Sequence, residues 1–276
     1  MMGNEIRRKI TEITLNNAIY KHEKWLVKSQ FGSCAKGRLF FSEKDFSNFC
    51  INGKNFSKGW FDNVNLSCSE ISENFFVSCV LSGCNIKRSR IYNSIFDYSV
   101  IKGIDFRNTF FFSCSFKSSC IIDTDFSHCV FKNCYFENAI FRKVNFFGSK
   151  IENVKFTGVM SDEGTLFYRL QCPEIGSFIG YKRCGDYIIE LDIPSEALRS
   201  SATTRVCRTN KAKVISITNL NGGESGLTSV PSNISKNFIY TVGETVRVDC
   251  FDEDRWKESS NGIHFFLRRD EAVNYF

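Results

Sequence analysis

From Phe41 onward the chain places an apolar residue at every fifth position. Stepping through Phe46, Ile51, Phe56 and Phe61 as far as Phe156, all twenty-four centres hold Phe, Leu or Ile. Two residues before each centre, from residue 59 on, the side chain is mostly small: Gly59, Val64, Ser69, Cys79, Cys84, Ser89, Ser94, Ser99, Thr109, Cys114, Ser119, Thr124, Cys129, Cys134 and Ala139 follow the rule, while Asn74 and Ile104 depart from it. Residues just after the centres, such as Ser47, Lys87, Lys102, Arg107, Lys117 and Lys132, are largely polar and read as corners facing water. A period of five is neither the 3.6 of a helix nor the 2 of a strand, so no ordinary amphipathic element produces it over this length. The strict part is Phe61 to Phe156. The stretch Phe41 to Phe56 is irregular, with Lys44, Phe49 and Lys54 at positions that call for small residues, and is expected to widen toward whatever precedes it.

The flanks follow other rhythms. Leu15, Ala18, Ile19, His22, Trp25 and Leu26 keep helical spacing, which predicts an amphipathic helix over residues 15–28 with Thr14 as its N-cap. Ile6, Ile10 and Ile13 suggest a further turn or two before it. After Phe156 the rhythm stops. "DEGTLFYRLQCPEIG" reads as a linker, "YIIELDIP" and "AKVISIT" as strands, "NFIYTVGETVRVDCF" as a hairpin around Gly243, and "RRDEAVNYF" as helical. Three segments result: an N-terminal helical cap (1–40), a repeat (41–160) and a C-terminal α+β domain (161–276).

The pentads "CNIKR", "IDFRN", "TDFSH" and "VNFFG" resemble the pentapeptide-repeat family, with its small residue, Asp or Asn, then Leu or Phe, then two polar residues. The resemblance implies a mainly β fold: a right-handed quadrilateral β-helix with four pentapeptides per turn, about six coils and a rod roughly 29 Å long at the usual strand spacing. Phe56, Phe76, Phe96, Phe116, Phe136 and Phe156 would then form one aromatic ladder. Asp97, Lys117 and Glu137 would share a charged column, and Cys114 and Cys134 would stack as buried thiols, with a disulfide as the alternative. No coil can bury its own centres; stacking removes each from water, at about 1.5–3 kcal/mol apiece. Both rod ends need covers. His22, Trp25 and Leu26 followed by Gly37 and Arg38 look like the lead-in of pentapeptide-repeat proteins of phages and prophages, with His22 structural rather than a ligand. Together "FIGYKRC", "IIELDIP", "RSSATTRVCR", "KAKVISI", "FIYTVGE" and "NGIHFFLRRDEAVNY" resemble an uncharacterised domain appended to such repeats in phage and bacterial proteins.

Composition adds constraints. Twenty-nine Phe against three Met and three Trp fits one aromatic used in a stereotyped way. Thirteen cysteines, an odd number, sit mostly at the small-residue positions and read as reduced, packed thiols. No run approaches the roughly 20 apolar residues of a membrane span. The opening "MMGNEIRRKITEI" lacks the apolar stretch of a signal peptide, so the expected location is the cytoplasm of a bacterium or phage-infected host, without membrane attachment.

Candidate chemistry is sparse. "GIHFFLRRDEAVNY" resembles the "GIYF...SANY" stretch of poly(ADP-ribose) polymerases, which implies NAD as cofactor, His264 in place of a tyrosine of the catalytic triad, and Tyr275 stacked on nicotinamide. No first-strand histidine precedes this stretch and no later catalytic glutamate follows it; the other reading makes His264 and Tyr275 packing residues. With three histidines in three contexts, His22, His128 and His264, a nucleophilic triad has little to draw on. Cys172, Cys184, Cys207, Cys250 and His264 contain no CxxC pair, so no metal site is expected. "NGGESG" lacks the Lys of a phosphate-binding loop.

The segments carry 8 basic and 3 acidic residues (1–40), 14 and 11 (41–160), and 14 and 16 (161–276), for nets of +5, +3 and −2. Some pentapeptide-repeat proteins act on DNA gyrase through an acidic, DNA-like surface, and a gyrase-directed role is one alternative the resemblance implies; a mildly basic rod argues against it. Lys87, Arg88, Arg90 and Arg107 form too small a cluster for nucleic-acid binding. The expected function is protein recognition by the rod and C-terminal domain, as a phage- or prophage-derived regulator or counter-defence factor acting on a host protein. A homodimer and an ADP-ribosyltransferase-like enzyme stay open beside it.

Overall fold

The computed structural model describes residues 8–9, 11–30 and 36–275, and the chain divides into two compact units, residues 1–168 and 169–276. The division falls eight residues beyond the expected end of the repeat at 160.

The first unit is a solenoid of about six turns of parallel strands. The strands of the repeat pair in parallel with those twenty positions on, as in Phe110↔Val130 and Cys120↔Ile140. A seven-stranded sheet runs from Phe40–Ser42 to Met160–Ser161, and a six-stranded sheet from Cys50–Asn52 to Lys150–Glu152. Single bridges link residues 45, 65, 85, 105, 125 and 145 on a third side, and 55, 75, 95, 115, 135 and 155 on a fourth. Those four columns are the four pentapeptides of each coil.

Inside, the phenylalanines stack at the expected step. Phe56–Phe76, Phe76–Phe96, Phe96–Phe116 and Phe116–Phe136 have ring centroids 4.8, 4.7, 4.9 and 4.8 Å apart, and Phe136–Phe156 5.4 Å. The first four spacings are the strand spacing itself, so along them the backbone ladder sets the ring separation.

The small position is polar for a reason. At eleven of these positions the side chain donates to the carbonyl of the centre 23 residues earlier, including Ser69 to Phe46 (3.0 Å), Cys79 to Phe56 (3.0 Å), Ser89 to Leu66 (2.8 Å) and Cys129 to Phe106 (3.0 Å). Asn74, out of pattern in the sequence, does the same work: its Nδ2 donates to Ile51 O at 2.8 Å, and its Oδ1 accepts from Lys54 N–H at 2.8 Å. Each such bond satisfies a carbonyl at a corner, where burial without a partner would be costly.

A second five-residue rule is visible in the backbone. Two residues after every centre, from 43 to 158, φ is positive, between 47° and 71°, and twelve of these twenty-four residues are Asn or Gly. The left-handed corner residue turns the chain from one side to the next.

Both ends are covered. The N-terminal helix is Glu12–Ser29, and Thr11 rather than Thr14 caps it: the Thr11 Oγ1 accepts the Thr14 N–H at 3.3 Å, so the helix starts three residues before the predicted position. Leu15, Ile19 and His22 are its buried face. Ile13 lies in this helix with 74% of its surface exposed, whereas Ile6 and Ile10 fall outside the described residues. Arg8–Lys9 pairs with Lys44–Asp45, covering a strand edge in the irregular first coil. At the other end the register lengthens by one residue, Asn145 pairing with Leu166, and the Tyr168 ring lies 5.5 Å from both Phe141 and Phe156.

The second unit is antiparallel. Strands Phe178–Cys184, Tyr187–Ile193, Lys211–Asn219 and Thr245–Arg247 form one sheet in that order; Arg199–Ser200, Cys207–Thr209 and Ile263–Phe265 form a second. The hairpin expected around Gly243 does not form. Ile239–Thr241 pairs with Ser229–Pro231, Thr245–Arg247 pairs with Lys211–Lys213, and Gly243, at φ 86°, passes the chain from one sheet to the other. The short helix Arg269–Val273 lies within the segment read as helical.

Candidate functional site

Two surfaces stand out, one in each unit. The outward position of the seven-stranded sheet is occupied in sequence by Phe40, Trp60, Val80, Val100, Cys120, Ile140 and Met160. All seven are apolar. Phe40 and Met160 are each 61% exposed, Trp60 43% and Val100 39%. Phe40 and Trp60 meet edge to face at 6.0 Å, so even the largest members follow the row. The equivalent column of the six-stranded sheet reads Cys50, Glu70, Arg90, Phe110, Val130 and Lys150, with charge of both signs. On the third side, Asp45, Asn65, Asn85, Asp105, Asp125 and Asn145 are spent on the rod itself: Asn65 Nδ2 donates to Asp45 Oδ1 (3.0 Å), and Asp125 Oδ1 accepts Ser127 N–H (2.9 Å). This outward column is absent from the sequence expectations, although the twenty-residue step that aligns the inward centres also aligns it.

The second surface is a cleft in the C-terminal unit. Its larger lobe, about 510 Å3, is lined by Lys182, Arg183, Thr204, Glu258, His264 and Tyr275, among others. A neighbouring lobe of about 290 Å3 shares Lys182 and His264 and is walled by Phe238, Tyr240, Val248 and Ile263. His264 and Tyr275, the two residues singled out in the sequence, thus line one cleft. Phe265, next to His264, lies against Gly180, where a Cβ would come within 2.6 Å of its ring.

Arg208 anchors the loop whose residues 258–261 line one side of the cleft. It is 1% exposed, and its guanidinium donates to the carbonyls of Asp252, Asn261 and Asp254 at 2.9, 2.9 and 3.0 Å and to Ser200 Oγ at 3.1 Å. These bonds tie down the loop that carries Glu258 and Ser259. Glu258 Oε1 accepts the N–H groups of Thr203 and Thr204, which hold its carboxyl below the usual range against the opposing effect of burial. His264 Nε2 donates to Glu258 O at 3.1 Å, and burial lowers its pKa, so the ring is neutral at pH 7. Lys182 Nζ donates to His264 O at 3.1 Å and sits 5.9 Å from the Tyr240 ring centre; burial lowers its pKa as well. Tyr275 packs on Phe266 at 5.1 Å, and its carbonyl accepts Arg183 Nη1 at 3.2 Å.

The remaining sequence candidates are dispersed. His22 is fully buried beneath the rod: Leu39 N–H donates to its Nδ1 (2.9 Å) and its Nε2 donates to Ser57 O (2.9 Å), an arrangement that leaves no ligand position. Cys172 and Cys207 lie together beside Ser201, and their contact, with the Ser201 hydroxyl, brings Cys172 down to about 7; Cys184 lies near Lys182, and Cys250 is exposed. Among the described residues no three His, Cys, Asp or Glu converge as metal ligands. Cys114 and Cys134 are buried free thiols in contact, donating to Ile91 O (3.3 Å) and Phe111 O (3.6 Å). Lys117 and Glu137 form an ion pair at 3.6 Å, and Asp97 accepts Lys117 N–H at 2.8 Å. Arg107 is engaged by Asp105 at 2.8 Å. Among the described residues no helix is long and apolar enough to cross a membrane.

Comparison with known families agrees with this division. Residues 119–158 match the family "Pentapeptide repeats (8 copies)", and residues 168–272 match "Family of unknown function (DUF5758)". The chain therefore carries pentapeptide repeats followed by a domain of that second family. Similar solved structures are pentapeptide-repeat proteins. One from the Arabidopsis thaliana thylakoid lumen is 16% identical over 37% of this chain, with a TM-score of 0.24, and the match spans 65% of that protein's length. HetL, involved in heterocyst differentiation regulation in Nostoc sp. strain PCC 7120, is 9% identical over 46% of this chain and 78% of its own, with a TM-score of 0.20. QnrB1, a plasmid-mediated fluoroquinolone resistance protein, is 14% identical over 46% of this chain and 91% of its own, with a TM-score of 0.21. No curated protein matches the chain.

Proposed function

We propose that the solenoid is a protein-recognition element and that its apolar sheet face is the surface that recognises. The observation that carries this is the single file of seven apolar side chains, Phe40 to Met160, on a side of the rod where water would otherwise favour polar residues. Contiguous exposed apolar rows of this extent mark interaction sites. The other outward position of the same strands reads Ser42, Asp62, Ser82, Lys102, Ile122 and Arg142, so a largely polar margin runs along one side of the row. A row of seven strands is about 29 Å long, which matches about five turns, or 27 Å, of one face of an amphipathic helix. The partner is accordingly a protein presenting a straight apolar ridge of that kind. The resemblance to phage and prophage proteins favours a host protein as that partner and a regulatory or counter-defence role.

A gyrase-directed role would draw on an acidic, DNA-like rod, and residues 41–160 carry 14 basic and 11 acidic side chains instead. The test is differential capture from host lysate with the full chain. The same partner should be retained by the parent and by Arg90→Asp on the six-stranded sheet, and lost by Val100→Asp. Equal retention by both variants refutes the assignment of the face; capture of a second copy alone refutes a distinct partner.

A further inference from the structure

Independently of the rod, we infer that the cleft of the C-terminal unit is a binding site for a small aromatic anion. Lys182 takes the charged group, and the lobe of Phe238, Tyr240, Val248 and Ile263 takes the ring. Lys182 projects from the strand Phe178–Cys184 to the junction of the two lobes, and among the described residues it makes one hydrogen bond, to His264 O, a long contact with the Tyr240 ring at 5.9 Å, and no ion pair. An ammonium has three N–H groups, and removing it from water without a counter-ion is costly. The carboxylate in this cleft does not answer it, because Glu258 is turned to the N–H groups of Thr203 and Thr204. His264 is spent on Glu258 O through Nε2 and supplies no negative charge. A ligand anion at the lobe junction restores the balance.

The larger lobe, at about 510 Å3, falls within the range of small-molecule sites. Its neighbour is walled by two aromatic rings and two aliphatic side chains, and Ile234 stands 87% exposed at the rim, where an apolar ligand would cover it. Flat apolar walls beside one uncompensated cation select a ring bearing a carboxylate or a phosphate, and the two head groups are separated by the choice of probe.

Isothermal titration of the full chain with 2-naphthoate and with AMP is the test, with 2-naphthamide and adenosine as neutral counterparts. At least one anion should bind saturably, its neutral counterpart roughly tenfold or more weakly, and Lys182→Met should lose roughly tenfold or more. Binding of naphthoate alone assigns a carboxylate head, of AMP alone a phosphate. In case Lys182→Met does not fold, amide shifts of the unaltered chain locate the ligand: they should cluster at Gly262, His264 and Ser232. No saturable binding of either anion up to about 5 mM, equal binding of the neutral counterparts, or shifts elsewhere overturns the proposal.

Discussion

The Cys79 thiol donates to the carbonyl oxygen of Phe56, 23 residues earlier, at 3.0 Å. That bond accounts for the many cysteines of the rod without redox chemistry: a thiol here is a small donor interchangeable with a hydroxyl. Ser99 bonds Phe76 O in the equivalent place at 2.5 Å. Cys79→Ser should therefore shift stability by no more than about 1 kcal/mol, whereas Cys79→Leu should cost about 1–3 kcal/mol by overpacking. Burial also pushes the Cys79 thiol up to about 12. In the folded protein a thiol reagent at pH 8 should label the exposed Cys50, Cys68 and Cys250 quickly and leave Cys79 unmodified until denaturant is added. Mass spectrometry of the labelled chain checks both parts.

The corner residues supply a second test. Gly83 and Gly103 share left-handed conformations, at φ 59° and 63°, yet a Cβ at Gly83 would run into Asn63 Oδ1, while at Gly103 the nearest atom lies 3.8 Å away. Gly103→Ala should cost about 1 kcal/mol from the backbone alone, and Gly83→Ala distinctly more. At Tyr98, φ 59°, the same reasoning runs in reverse: Tyr98→Asn should gain about 0.5–1 kcal/mol. Denaturant midpoints of the three variants decide it.

The repeat was legible because one side chain per pentad has no alternative to the interior. The left-handed corner was missed, although Asn48, Asn63, Gly83, Asn93, Gly103 and Asn108 announce it, because half of the corners hold other residues, from Lys58 and Glu73 to Ser78, Tyr98 and His128, and dilute the signal. The hairpin around Gly243 was misread for a different reason. A glycine between two apolar alternations signals a turn but does not say that the flanking strands pair with each other, and here tertiary pairing with Ser229–Pro231 and Lys211–Lys213 prevails. His264 and Tyr275 drew attention as sequence candidates, but Lys182, about 80 residues upstream, could join them only through strand packing, which a single sequence does not reveal.

His22 makes stability depend on pH in a defined window. Burial lowers its pKa from 6.5 in the fold, so the unfolded chain takes up a proton first as pH falls. The stability contribution is intact above 6.5, the unfolded value, and is lost as pH falls through the folded value. His264 acts in the same direction in the C-terminal unit. The unfolding free energy should decline below pH 6.5, before the carboxylates titrate, and His22→Gln should flatten that decline for the rod. An unchanged slope in the variant would remove His22 as its source.

Arg208 holds the cleft loop through three carbonyls while itself buried. Arg208→Met leaves those carbonyls unpaired and should destabilise the C-terminal unit by about 3–5 kcal/mol. Hydrogen exchange should rise first across residues 249–261. The rod, a separate compact unit, should keep its own protection.

The claim on which the functional account rests is that one side of the rod, and not its neighbours, meets the partner. The direct measurement is photo-crosslinking in host cells, with a photoreactive residue placed at Val100 on the apolar row in one chain and at Glu70 on the six-stranded sheet in another. One dominant crosslinked protein is expected at Val100, joined through an amphipathic helix identified by peptide mapping, and none at Glu70. Equal crosslinking at both positions, or a dominant product at Glu70 alone, would contradict it.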